Sequence, residues 1–544
     1  MATYLNPGSA KFEKTLNSEI YVDKTEMISY LNSVVNTEQC YVCVSRPRRF
    51  GKSIAANMLT SYYGKGDSRE LFETRKIADC ENWDKYLNGF DVIKLVMTDF
   101  IKEEKEVKDS LKTVVRRVLD DLSEEYLDVK YDADDLAYSM DRFYRKHDTQ
   151  FVIIIDEWDA VFRERKNDTE GQKLYLDFLR DWLKDKEYVA LAYMTGILPI
   201  KKYGKHSALN MFDEYSIIAP LQFAPSTGFT EEEVKELCAK YNVSYDEIKN
   251  WYDGYVISKE IPIEVRDKYR AGEYKDNLIS VYSPLSVVKA VSSGIIQNYW
   301  NKTENYEALA EYIRMDYDGL KDAVAFLMDG GRLKVNIQKY QNDMTTFESS
   351  NDVLVMLIHL GYLGYDIETK EAFIPNKEIL DEFKNSTDSS EWVEAFESFK
   401  KSQKLLNATW NLEAEKVAEI LEWFHDGAEN KTYNSEAALS YAIQMSYYAA
   451  QKYYTTIQEL DSGKGYVDLA YLPSPKYPDK PALVIELKYN KTIETAFDQI
   501  QARKYPDKLL HYKGNILLVG INYDKDVSSD SKDFKRHSCK IEKV

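Results

Sequence analysis

The chain has 544 residues, too many for a single hydrophobic core, so roughly three domains of about 150 residues are expected. Its 44% hydrophobic, 30% charged and 13% aromatic content, with 43 Tyr, excludes a disordered chain, and a formal charge of -19 excludes a general nucleic-acid coat while leaving room for a local basic site. No apolar run reaches the roughly 18 residues of a membrane span. The best candidate, Val353 to Tyr365, contains His359 and two glycines. The opening MATYLNPGSAKFEK has no apolar signal region and the five cysteines are an odd number, so the expectation is a cytoplasmic protein without membrane contact.

The first two hundred residues alternate short apolar runs with helical periodicity, the pattern of a parallel sheet covered by helices. Strands are predicted at Cys40–Ser45, Val92–Met97, Phe151–Ile155, Tyr188–Met194 and Tyr215–Ile218, with amphipathic helices at Val107–Tyr126 and Leu174–Leu183 among them. Cys40 and Cys43 would sit on opposite faces of the first strand, which argues against a metal pair. Beyond Pro225 the texture turns helical and Tyr-rich. A capping box begins at Thr230, WYDGY spans Trp251 to Tyr255, Pro284 opens a helix, and the polar KNSTDSSE at Lys384 to Glu391 reads as a linker. The last segment predicts helix near Trp392, strands at Gly465–Leu472, Ala482–Tyr489 and Gly514–Tyr523, and a helix at Ile493–Tyr505. The expected domains are 1–225, 226–385 and 386–544, all within an α/β fold class with a helical middle region.

VSRPRRFGKSIAANM, Val44 to Met58, ends its turn on Gly51-Lys52-Ser53 between an apolar strand and a helix, as a phosphate-binding loop does, but Arg46 stands where the consensus has its first glycine. In such a loop amides at a helix N-terminus surround phosphates, Lys52 neutralises them and the Ser53 hydroxyl reaches Mg²⁺. A glycine's backbone imposed on Arg46 would carry a strain of about 1–2 kcal/mol. FVIIIDEWD then supplies a run buried on both faces, ending on Asp156, a Mg²⁺ ligand, and Glu157, which could orient or deprotonate a water. Either stretch alone is as compatible with a basic turn or a solvated strand end. Their order and strand-end placement favour a nucleotide fold.

The residues YVDKT (Tyr21–Thr25), RPRRFGKS, IIIDEWD, YMTGIL and WYDGY resemble the AAA-ATPase-like proteins, a group often joined to a nuclease-type domain, in which the first glycine of the loop is commonly replaced. The resemblance implies a P-loop NTPase parallel sheet, ATP and Mg²⁺ as cofactors, Thr195 facing the γ-phosphate as a sensor residue, and Arg48 and Arg49 near phosphate or a regulatory partner.

Glu486-Leu487-Lys488 follows an apolar strand run, and positions i and i+2 of a strand share a face. An antiparallel neighbour could bring Asp468 beside Glu486, two carboxylates suited to a hard cation, with Lys488 to orient a water. Other E-x-K triplets, at Glu106, Glu233 and Glu247, lie in helix-patterned sequence. NSEAALSYAI, GKGYVDLAYL, VIELKY and AFDQIQARKY together resemble the PD-(D/E)XK nuclease superfamily. That implies a restriction-endonuclease-like α/β domain with Glu436, Asp468 and Glu486 as metal ligands, Lys488 as catalytic lysine and Gln499 as an accessory residue. Tyr466 stands where a basic residue often precedes the VD of this group.

The expected function is an ATPase module controlling a Mg²⁺-dependent nuclease, with DNA ahead of RNA as partner and homo-oligomerisation left open. The alternative is a nucleotide-switched binding protein with an inactive nuclease-like domain. The six histidines, at 147, 206, 359, 425, 511 and 537, show no ligand spacing and are expected to be structural.

Overall fold

The computed structural model describes residues 3–200, 209–270, 277–300, 306–314, 317, 319–338, 347–387, 390–426, 436–461, 466–492, 512, 514–525 and 536–544. Two compact units result: Met1–Tyr312 with Lys334–Ser386, and Ile313–Leu333 with Thr387–Val544.

In the first unit five strands form one parallel sheet: β1 (Tyr41–Ser45), β2 (Asp91–Val96), β3 (Phe151–Asp156), β4 (Val189–Gly196) and β5 (Asp213–Tyr215), in the order β2-β3-β4-β1-β5. Every residue of β1, β3 and β4 is buried, as expected for strands covered by helices on both faces. Each large aliphatic side chain of β3 contributes roughly 1.5–3 kcal/mol through that burial. β5 starts and ends earlier than the predicted Tyr215–Ile218, because only Asp213 to Tyr215 pair with β1, beyond which the chain leaves the sheet edge. The amphipathic helices run Val107–Glu125 and Thr169–Leu183, the latter beginning earlier than expected because Asp168 caps it by accepting from the Gly171 amide at 2.8 Å.

The middle stretch is mainly helical, as expected, and also carries short strands. β6 (Phe229–Thr230), β7 (Tyr255–Ser258) and β8 (Leu278–Tyr282) form an antiparallel sheet in the order β6-β8-β7. The capping box forms as read, with Thr230 and Glu233 exchanging hydrogen bonds. Lys24 of YVDKT closes on that box, 2.5 Å from Glu233, while Asp23 and Thr25 accept the Lys76 and Ile77 amides. WYDGY is likewise a clasp: Tyr252 donates to the Gln297 carbonyl and Tyr255 to that of Gly361. A two-residue strand, β9 (Leu333–Lys334), and a hairpin of β10 (Gly364–Asp366) and β11 (Glu371–Phe373) complete the strands of this region. KNSTDSSE contains the boundary between the two compact units, which falls between Ser386 and Thr387. The Lys377–Ser386 helix runs into it, with Ile379, Phe383 and Ser386 on its buried side, and the next helix starts at Ser390.

The second unit holds a mixed sheet in chain order: β12 (Tyr454–Asp461), β13 (Tyr466–Pro473), β14 (Ala482–Tyr489), β15 (Ile516–Tyr523) and β16 (His537–Lys543). β14 and β15 are parallel and the other pairs antiparallel. Helices Ser390–Trp410, Ala414–Asp426 and Glu436–Ser446 pack with Leu483, Ile485, Leu487, Val519 and Ile521 on one face. On the other face Ala470, Val484 and Leu518 form a smaller cluster. The helix expected at Ile493–Tyr505 lies outside the described residues. No helix among them is long and apolar enough to cross a membrane.

Candidate functional site

The strand order puts β4 between β1 and β3, so the loop after β1 and the acidic end of β3 face each other across the end of β4. Register aligns Ser45 with Gly196 and Asp156 with Thr195. This is the carboxyl edge of a parallel sheet, where ligands of open α/β folds bind.

Gly51 caps the Lys52–Tyr63 helix at φ 86°, a left-handed conformation that glycine adopts without cost. The strain expected at Arg46 is not there, since Arg46 is absent from the positive-φ residues; Arg49 (φ 67°) and Glu157 (φ 53°) carry it instead. The Arg46 side chain is fully buried and donates to the carbonyls of Ser45, Tyr215 and Phe223 at 2.9, 2.8 and 3.1 Å. It ties the loop to β5. The missing glycine is thus a structural substitution on the side of the loop that faces the core.

Lys52 is buried and donates to the carbonyls of Arg46 and Pro47 at 3.0 and 2.8 Å. Burial pulls its ammonium down to about 8, against the opposing charges of Asp159 and Asp156. Burial pushes the Asp156 carboxyl up, while a hydrogen bond from Ser53 and the charges of Lys94 and Lys52 act against it. Ser53 and Asp156 are therefore adjacent, a hydroxyl and a carboxylate suited to one hard cation. Glu157 accepts from Thr98 and lies 3.3 Å from Arg163. Although burial works against ionisation, those two partners hold its carboxyl below the ordinary range. Thr195 is buried and donates its hydroxyl to the Val44 carbonyl at 3.0 Å.

Asp159, its partner Arg163 and Lys94 were not assigned from sequence. Asp159 is fully buried, accepts the Ile197 and Leu198 amides at 3.0 Å each, and lies 3.3 Å from Arg163. A Cβ on Gly196 would come within 2.7 Å of Asp159, so this packing requires glycine. The signal was the Asp159/Arg163 spacing of four on a helix. Lys94 is buried in β2 against Asn57, and burial pulls it down to about 8 with Asp156 opposing. Its signal was a lysine inside an apolar strand run.

Arg48 is exposed, whereas Arg49 donates to the Trp300 carbonyl at 3.1 Å. The Tyr299 and Trp300 amides in turn donate to Glu378 at 2.8 and 3.1 Å, and Ser286 donates to it at 2.9 Å. Burial pushes the Glu378 carboxyl up to about 7 despite these bonds.

In the second unit the antiparallel register of β13 and β14 pairs Leu469 with Ile485, which brings Asp468 beside Glu486. Asp468 accepts the Leu487 amide at 2.7 Å. Glu486 and Lys488 are 0% and 4% exposed, and the Lys488 ammonium lies 2.9 Å from Glu486 Oε1 and from the Leu487 carbonyl. Two neighbouring carboxylates with a lysine on one strand face are a donor set that fits a hard divalent cation. Glu436 begins the Glu436–Ser446 helix, and Gln499 lies outside the described residues.

The AAA-ATPase-like family model, described as "Predicted AAA-ATPase", matches residues 8–204, and the PD-(D/E)XK nuclease superfamily model matches residues 439–529. No curated protein matches the chain. Solved structures with some similarity include Cdc6p from Pyrobaculum aerophilum, at 11% identity over 70% of this chain and 97% of that one, with a TM-score of 0.26. The ORC2 protein of Aeropyrum pernix, in its ADPNP-ADP complexes, is 11% identical over 68% and 96%, with a TM-score of 0.28. AMPPCP-bound DnaA from Aquifex aeolicus is 12% identical over 72% and 92%, with a TM-score of 0.23. At such scores these likenesses carry no argument.

Proposed function

We propose that this chain, which joins an AAA-ATPase-like domain to a PD-(D/E)XK nuclease superfamily domain, binds and hydrolyses ATP and cleaves nucleic acid under nucleotide control. The functional division follows 1–225 for the ATPase, 226–385 for the middle region and 386–544 for the nuclease. DNA is the favoured substrate, and homo-oligomerisation is compatible with the reading.

In the first site Lys52 exchanges the Arg46 and Pro47 carbonyls for phosphate oxygens at the N-terminus of its helix. Ser53 and Asp156 hold Mg²⁺. Glu157 leaves Thr98 or Arg163 to take a water's proton, and Arg48, Arg49 and Thr195 read the phosphates. In the second site Asp468, Glu486 and Glu436 hold the cation, while Lys488 turns from Glu486 to the water and Gln499 assists. A divalent ion held there supplies polarisation of the scissile phosphate and a more acidic bound water.

The observation that carries the nuclease reading is the strand register that sets Asp468 beside Glu486 with Lys488 two residues on. Nicking of plasmid DNA and of labelled RNA with Mg²⁺, with and without ATP, tests it. Glu486→Gln and Lys488→Ala should each lose cleavage by about 10³-fold or more, and Lys52→Ala should lose the response to ATP. Equal cleavage by wild type and variants, or none from any across several metals, would sink the reading. The closed Lys488–Glu486 pair favours a second reading, a nucleotide-switched binding protein with a silent nuclease fold. Nucleotide-dependent DNA binding that survives Glu486→Gln, without cleavage, would select it.

A further inference from the structure

Away from both sites, three side chains distant in sequence meet at one point of the second unit. Glu422 and His425 are three apart on the Ala414–Asp426 helix and therefore share a face, and His537 opens β16 opposite Tyr523. One donor atom from each of the three lies within 4.8 Å of the others. Glu422 Oε2 is 2.8 Å from His537 Nδ1 and also accepts the Arg536 and His537 amides at 3.0 and 3.1 Å. The imidazole of His425 stands edge-on to that of His537, centroids 5.5 Å apart, and its Nε2 lies 3.5 Å from the Tyr523 hydroxyl.

The Glu422–His537 hydrogen bond explains two of the three residues. It does not explain a second imidazole turned against them, nor Glu422 Oε1, which is buried and has no hydrogen-bond partner among the described residues. Two buried imidazoles and a partly buried carboxylate form a donor set for Zn²⁺, which takes nitrogen and oxygen at about 2.0–2.2 Å and accepts a fourth ligand. The Tyr523 hydroxyl beside His425 is the kind of outer partner that orients a ligating ring.

The location separates this cluster from the proposed nuclease metal. β15 pairs Tyr523 with His537 and Tyr489, whereas it pairs Gly520 with Glu486 and Asn522 with Lys488. Alternation along β15 sends the Tyr523 side to the helix-covered face and the Glu486–Lys488 side to the other.

We propose that Glu422, His425 and His537 are the protein ligands of a transition-metal site, with Zn²⁺ its best-fitting occupant, that pins β16 to the Ala414–Asp426 helix.

The test uses the full chain, free of histidine tags, dialysed against chelator and titrated with Zn²⁺ and Co²⁺. About one equivalent should bind at this site, Co²⁺ should show a tetrahedral visible spectrum, and Zn²⁺ should raise the unfolding midpoint. Glu422→Gln and His425→Ala should each weaken the Co²⁺ signal by about 100-fold, while Glu486→Gln leaves it unchanged. Glu422→Gln keeps shape, so it serves if the histidine variant fails to fold. A folded protein with no Co²⁺ spectrum, a signal that survives both ligand changes, or one abolished by Glu486→Gln would overturn the proposal.

Discussion

Lys52 and Lys488 are both buried lysines near a strand end, at 8% and 4% exposure, yet they are held in different ways. Lys52 donates hydrogen bonds to two carbonyls of its own loop, with Asp159 and Asp156 acting on it as neighbouring charges. Lys488 donates hydrogen bonds to the carboxylate of Glu486, itself fully buried, and to the Leu487 carbonyl. Carbonyls can be exchanged for phosphate without stranding a charge. A carboxylate that loses its lysine is left buried and ionised, which is costly unless a cation replaces it. The first arrangement waits for an anion and the second for a cation.

The sharpest way to break this comparison is through stability. Lys488→Ala should destabilise the second unit by about 3–5 kcal/mol in urea denaturation, and the double change Glu486→Gln with Lys488→Met should recover most of it. Equal losses from both would mean that Glu486 is not charged in the fold. Next is Arg46→Gly, which restores the consensus loop. It removes three buried hydrogen bonds, so a loss of about 3 kcal/mol without tighter nucleotide binding is expected. Tighter binding would show that Arg46 obstructs the site.

Lys52→Ala should weaken nucleotide by about 100-fold, near 2.7 kcal/mol, in a fluorescent-nucleotide titration, and lower the stability of the nucleotide-free protein by about 2 kcal/mol through its two lost hydrogen bonds. Because Lys52 in the free protein titrates near 8 and phosphate requires the ammonium, affinity should fall as pH rises through that value. A pH-dependent effect is expected at Glu378. Its carboxyl is raised from 4.5 to about 7, so between those values the folded state binds more protons than the unfolded one. Stability should therefore fall as pH rises from about 4.5 to about 7, by at most about 1.4 kcal/mol per pH unit, and Glu378→Gln should flatten that slope.

Much of the first site was legible because its chemistry is local. Gly51, Lys52 and Ser53 are consecutive, and Asp156 follows five apolar residues, so a turn and a strand end could be read directly. Arg46 was misjudged because its partners, Tyr215 and Phe223, are some 170 residues away, and nothing local shows that the side chain turns inward. In the second unit β12 and β16 went unread. β16 mixes buried and exposed positions with charged residues, as edge strands do, so its alternation is blurred. With β16 went His537, and with His537 the meeting of two histidines that had looked scattered.

By itself the sequence determined what depends on neighbours along the chain: the strand-turn-helix of the loop, the acidic end of β3, and the shared face of Glu486 and Lys488. Only the tertiary structure decided what depends on strand order and register. The placement of β4 between β1 and β3 brings Ser53 to Asp156, and the pairing of β13 with β14 brings Asp468 to Glu486. Helix packing then brings Glu422 and His425 to His537. Local periodicity sets which face a side chain takes, while pairing across hundreds of residues sets what it meets there.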